Sequence, residues 1–355
     1  MVIDHADELR RVVEADSLVY YLEGNVRAHR GDLFMRSQRA VIRRTAGVAD
    51  FTRNVHFWDP TTEIYADRVV YTEATDVAVA TGRVQVVDRE SGSNVVADTV
   101  RYDRRVGLVT AWPRPHAEMV PSDTARQAEP FDVWADRMRF VSDTTTSEFV
   151  GRGEVLIERT DLTAVGDSLH YAPNEGRIAL REEPQVETER VFLTAERIDL
   201  RLSDEDEIES LIAVGNARTI RKADSIPAGV PPAFGNVSES SFLEGDSIHV
   251  AFAGEEIERL VAAGSAKSLN YSRESAPGAV ETWSVNYTLA DRLILSFEGD
   301  TLEQVVATGG QRGVYRQEEV RVGGPERRPS EPIPLPGLAS GAVARGSRPR
   351  RRPRR

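Results

Sequence analysis

The chain has 355 residues, 40% of them hydrophobic and 29% charged, and 57 acidic against 45 basic side chains give a net charge of −12. It contains no cysteine, which excludes disulfides, thiolate metal sites and a cysteine nucleophile. No stretch approaches the roughly 20 consecutive apolar residues of a membrane-spanning helix, and no secretory leader pattern follows Met1.

Two landmarks recur in phase along the chain. The first is an Ala-Asp step, at Asp7, Gln38, Asp67, Asp98, Asp136, Asp167, Glu196, Asp246 and Asp291. The second is a Gly or its substitute, at Gly24, Arg53, Gly82, Pro113, Gly153, Pro184, Gly215, Gly264 and Gly309. Each Asp-like residue precedes its partner by 15 to 19 residues, whereas the return to the next Asp takes 12 to 31, so insertions gather in one of the two connections. Nine such units mark a repeat array. The first begins at Asp7 with almost nothing before it, which predicts a leader upstream of the given start.

Within a unit the apolar residues alternate, as at Val77, Val79, Val84 and Val86. Period two means strands, about two per unit and roughly 18 in all. Turns such as Glu90-Ser91-Gly92-Ser93 and Pro173-Asn174-Glu175-Gly176 join them, and short connections make neighbours antiparallel. The alternation slips by one at the Ala-Asp step: Ile64 and Ala66 share one parity, Val69 and Tyr71 the other. For both flanks to face one core, the backbone must turn a corner there. An Asp at that corner is expected to cap free backbone N–H groups, and Gly or Pro at the other landmark predicts a second kink.

The array is assigned to residues 4–322. Three long connections, Pro115 to Pro130, Ser225 to Ser240 and Ser272 to Thr282, are polar and read as surface loops. After Val322 the alternation stops, and 323–355 read as a disordered tail. From Gly324 onward the tail has nine Arg against two Glu, a net +7 that leaves −19 on the 323 residues before it. Such a tail suits anionic lipid or phosphate as readily as it suits water.

The in-phase motifs His5-Ala6-Asp7, Leu22-Glu23-Gly24-Asn25-Val26, Arg53-Asn54-Val55, Ala66-Asp67 to Tyr71, Gly82-Arg83-Val84 and Gly153-Glu154-Val155 resemble the OstA/LptA family of lipopolysaccharide-transport proteins over about residues 4 to 315. The resemblance implies an all-β, antiparallel, open β-jellyroll, V-shaped and twisted. It also implies a periplasmic location, with outer-membrane association, and an interior that shields the acyl chains of lipopolysaccharide or a related lipid. LptC-like and LptD-like envelope proteins would be partners by edge-to-edge strand stacking, as would further copies of the chain. A soluble LptA-like bridge is the nearest role, since the chain shows neither the transmembrane helix of LptC relatives nor the C-terminal barrel of LptD relatives.

Val69, Tyr71, Val100, Tyr102, Met138, Phe140, Leu169 and Tyr171 follow the Ala-Asp steps and are the candidates for lining a lipid groove; the same side chains would equally fill a core. Gly166-Asp167-Ser168-Leu169-His170 and Gly245-Asp246-Ser247-Ile248-His249 look like esterase nucleophile blocks, but both fall on the repeat landmark and lack the α/β context. The Asp column reads as structural rather than as a metal ladder, and His29, His56 and His116 lack ligand spacing. No enzyme activity, cofactor, metal or nucleic acid is expected. The competing reading is a structural or adhesive cell-envelope β-solenoid without lipid cargo.

Overall fold

The computed structural model describes residues 1–14, 17–120, 130–142, 147–203, 207–221, 241–254, 256–274, 282–299 and 301–319. They form 24 strand segments in one antiparallel sheet, with a single 3-10 turn at Pro173–Glu175. Six pairs of segments, such as Val2–His5 with Glu8–Glu14 and Phe131–Trp134 with Arg137–Ser142, are halves of one strand broken at a bend. The described residues therefore make 18 bent strands, the number the nine units predict.

The bend is a β-bulge repeated across the sheet. Between Thr62–Thr72, Val77–Asp88 and Asn94–Asp103, Thr81 pairs with Thr99 and Val84 with Ala97, so that Asp98 alone faces the two residues Gly82 and Arg83. Both bulge residues are left-handed, at φ 78° and 46°. The extra residue sits on the Gly strand, whose inward Ala78, Ala80, Val84 and Val86 keep one parity, and the facing Ala-Asp strand makes the same bend with one residue fewer. That explains the parity slip on the Ala-Asp strand: Ile64, Ala66, Val69 and Tyr71 are all buried on the inside of one crease.

The two landmarks lie side by side on this single crease, not at two separate kinks. A Cβ on Gly82 would fall 2.8 Å from Asp67 Oδ2, so glycine is required both for its φ and for the carboxylate seated over it. Three of the landmark carboxylates accept from side chains and not, as expected, from backbone N–H groups. Asp7 accepts from Asn25 Nδ2 at 2.9 Å, Asp67 from Arg83 Nη2 at 2.6 Å and Glu196 from Asn216 Nδ2 at 2.8 Å. The backbone there is already engaged, since the N–H groups of Asp7, Asp136, Glu196 and Asp291 donate to the facing Gly carbonyls.

Two arms rise from the crease and face one another. Arm one holds the half-strands that lead to the Gly-to-Asp turns, and arm two holds the other halves. On arm one a row of paired residues runs from Ile3 through Phe57, Val95 and Ile157 to Leu193, apolar at every member. Inner faces of both arms merge into one core cluster. Outward side chains are mostly polar, with Arg68 on Asp50 at 2.7 Å and an aromatic stack of Phe34, Trp58, His56 and Tyr65.

All three long connections join strands at the arm-one rim, but two are shorter than predicted. His116–Met119 is a strand, not loop: it pairs with Asn94–Asp103 and Phe131–Trp134 and buries Ala117. Its alternation is legible as buried Ala117 and Met119 against His116 and Glu118, a pattern the flanking prolines obscure. Likewise Ser272 to Glu274 continue the strand Glu256–Glu274. The loop centred on 225–240 and the tail 323–355 lie outside the described residues.

Candidate functional site

The eight candidate residues come together on arm two. Val69, Val100, Met138 and Leu169 share the row next to the crease, where Ala80, Ala111 and Gly151 of the intervening strands alternate with them. Tyr71, Tyr102, Phe140 and Tyr171 share the next row toward the mouth. In the row next to the crease, large residues on Ala-Asp strands thus interdigitate with small ones on Gly strands. Seven of the eight are at most 2% exposed and Phe140 is partly buried, so the interior they line is shut to solvent.

The mouth explains how it is shut. At its N-terminal end the rims of the two arms are tied by a polar latch. Arg104, on the arm-two rim, donates from Nε to Asp59 Oδ2 at 3.0 Å and from Nη2 to Asp32 Oδ1 at 2.8 Å, both across the mouth, and from Nη1 to Asp76 Oδ1 at 3.2 Å on its own rim. Tyr102 donates across to Asp59 Oδ2 at 2.8 Å, and Tyr71 to Asp76 Oδ1 at 2.6 Å. Arg30 reaches over from arm one to the Tyr71 hydroxyl and, at 3.2 Å, to the Glu73 carbonyl. Asp59 is only 4% exposed, and its second oxygen accepts from the N–H groups of Thr61 and Thr62 at 3.1 and 2.9 Å. Farther along, the mouth is apolar, where Phe131 meets Tyr171 edge-on at 5.4 Å.

Period-two reading finds the eight candidates but misses this latch and the matching lining of arm one. Asp59, Asp76 and Arg104 sit in turns, where charged residues look merely solvated. The arm-one lining, by contrast, was readable from the Gly landmark, since Val84 and Val86 sit two and four residues beyond Gly82.

Burial, followed by the negative charge of Asp59, pushes the Tyr102 hydroxyl up to about 12. A folded-state value raised above the ordinary 10 means that this stabilisation is complete below about pH 10 and is lost as pH rises through about 12. On the order of 2–3 kcal/mol is at stake. In a tyrosinate absorbance titration Tyr102 should ionise only as the fold opens, and Tyr102→Phe should remove that late step; an ordinary titration near pH 10 would exclude the buried hydroxyl–carboxylate contact.

Of the two Ser-His blocks, Ser168 and His170 share the parity opposite to inward Leu169 and Tyr171, and the His170 imidazole bonds Glu148 on the adjacent strand. Ser247 and His249 alternate in the same way with inward Ile248 and Val250. Among the described residues no three His, Asp or Glu side chains gather as a metal site.

Residues 10–107 match the family described as LptA/(LptD N-terminal domain) LPS transport protein. Over this segment the chain is OstA/LptA-like. The LptA-like segment holds the bulges at Gly24, Arg53 and Gly82 and every residue of the latch. Among solved structures the chain is similar to LptH from Pseudomonas aeruginosa, described as the LptA homologous periplasmic component of the conserved lipopolysaccharide transport device. Identity is 16%, over 48% of this chain and 90% of that one, with a TM-score of 0.20, at which the likeness carries no argument. No curated protein matches the chain.

Proposed function

We propose that this chain is a non-enzymatic carrier that shields the acyl chains of lipopolysaccharide, or a related amphiphile, between its two arms on the way to the outer membrane. The observation that carries the reading is the apolar lining that runs from Ile3 to Leu193 on arm one and along arm two, beneath a mouth held by a polar latch, in a chain whose residues 10–107 match a lipopolysaccharide-transport family. Each acyl methylene moved from water into such a lining gains roughly 0.8 kcal/mol, enough for a few chains to compete with closure of the mouth. A location in the periplasm follows from this role.

The ends of the array support stacking with LptC-like or LptD-like proteins or with a second copy. Among the described residues the first bent strand pairs only with Ser17–Arg30 and the last only with Thr282–Glu298, which leaves a free edge at each end. The near-zero exposure of the lining favours the second reading, a structural envelope array with a permanently dry core.

Photo-crosslinkers decide between them. At Tyr102 and Phe140 they should capture lipopolysaccharide in cells, while one at Arg101, which faces outward and pairs with Asp103, should not. Equal labelling at all three positions, or labelling at none, would leave only the structural array.

A further inference from the structure

The lining changes character near its C-terminal end, on one arm only. The arm-one row that is apolar up to Leu193 continues through Thr219, Leu243, Ser268 and Thr288 to Gly313. Leu243 belongs to the main core cluster, which shows that the row still faces inward. The neighbouring inward row holds Asn270 and Asn286. Outward side chains are inverted in the same place: Phe242, Leu269, Tyr271, Val285 and Tyr287 form a second buried apolar cluster on the outer face. Arm two stays apolar throughout, with Ile248, Leu260, Leu293 and Leu295 buried opposite.

Thr219, Ser268 and Asn270 are 1%, 0% and 9% exposed, and Thr219 Oγ1, Ser268 Oγ and Asn270 Nδ2 have no hydrogen-bond partner among the described residues. An unpaired polar atom in a buried position costs the fold its full desolvation, and such atoms in a native chain call for an explanation. An apolar residue at each position would continue the lining at no such cost. The three groups are hydroxyls and a carboxamide; the row of Thr219 and Ser268 holds no charged residue, and the row of Asn270 carries one among the described residues, Arg221, in register with Val191. They suit a neutral, hydroxyl-rich partner, whereas a phosphate would call for Arg or Lys.

Resting on the carrier reading, we infer that the C-terminal end of arm one is a subsite for the uncharged sugar portion of the amphiphile, with the acyl chains lying against arm two and the earlier units. The test uses the full chain and two probes of equal alkyl length, dodecanoic acid and dodecyl maltoside, by titration calorimetry. The variant Thr219→Val/Ser268→Ala/Asn270→Leu removes the three polar groups and keeps the side-chain branching at positions 219 and 270. It should bind dodecanoic acid as the parent does and dodecyl maltoside at least roughly tenfold more weakly, the scale of one or more lost hydrogen bonds. Its melting temperature should hold or rise, since unpaired polar groups have been removed. Equal loss for both probes, no loss for either, or a marked fall in melting temperature would overturn the subsite. A parent chain that binds the acid but not the maltoside would overturn it while sparing the carrier reading, and a parent that binds neither would sink the carrier reading itself.

Discussion

Arg104→Met should lower the unfolding free energy of the N-terminal third by about 3–5 kcal/mol, because it strands a carboxylate in the interior. Asp59 has a side chain only 5% exposed, and Arg104, itself 12% exposed, is its one ion-pair partner among the described residues. The loss would be read from denaturant midpoints. Arg101→Met provides the comparison, because its 3.4 Å pair with Asp103 leaves the Arg side chain 42% exposed, where an ion pair is worth at most about 1 kcal/mol. If the two variants lose equal stability, the Arg104 cluster is an ordinary surface network and does not hold the mouth. The double variant Arg104→Met/Asp59→Asn should recover part of the loss, since it removes the stranded charge along with its partner. An Arg104→Met chain should also take up an apolar dye faster than its parent if the latch controls entry.

Phe57→Ala should cost about 3–5 kcal/mol, the penalty for emptying a fully buried aromatic site. Phe57 is 0% exposed, and its ring lies 5.9 Å from that of Tyr71 on the opposite arm, so it packs the two arms together. Trp58, the next residue, points outward to stack on Phe34 and His56. Trp58→Ala should therefore cost less, on the order of 1 kcal/mol, the scale of cross-strand aromatic pairs. Equal costs in thermal unfolding would mean that the inward and outward faces of this strand have been assigned wrongly.

The same pair of residues shows what the alternation does and does not encode. Phe57 inside and Trp58 outside follow from parity alone, once the slip at the crease is placed. The slip at Asp67 is visible because the bend is a local event: the facing strand takes up an extra residue at Gly82 and Arg83, the Ala-Asp strand does not, and the apolar residues on either side of Asp67 register the difference. Turn chemistry misled at His116–Met119, where proline flanks a strand too brief for its period to stand out, and at Ser272 to Glu274, where the end of a long strand is polar.

What the sequence by itself determined, then, is the phase of the repeat, the 18 bent strands, the crease at each Ala-Asp, and the side on which Val69, Tyr71, Val100, Tyr102, Met138, Phe140, Leu169 and Tyr171 lie. All of these are short-range consequences of a side-chain period of two. Only the tertiary structure decided that both landmarks share one crease, that the mouth is latched, and that the lining turns polar on one arm. Asp59 and Arg104 are 45 residues apart and meet because two arms fold toward each other; nothing local to either residue distinguishes a buried ion pair from two solvated turns. A filled core and a lipid groove ask for the same apolar side chains, so periodicity could not show that the interior is closed. Closure is set by contacts across the mouth, between chain segments whose only relation is their distance in space.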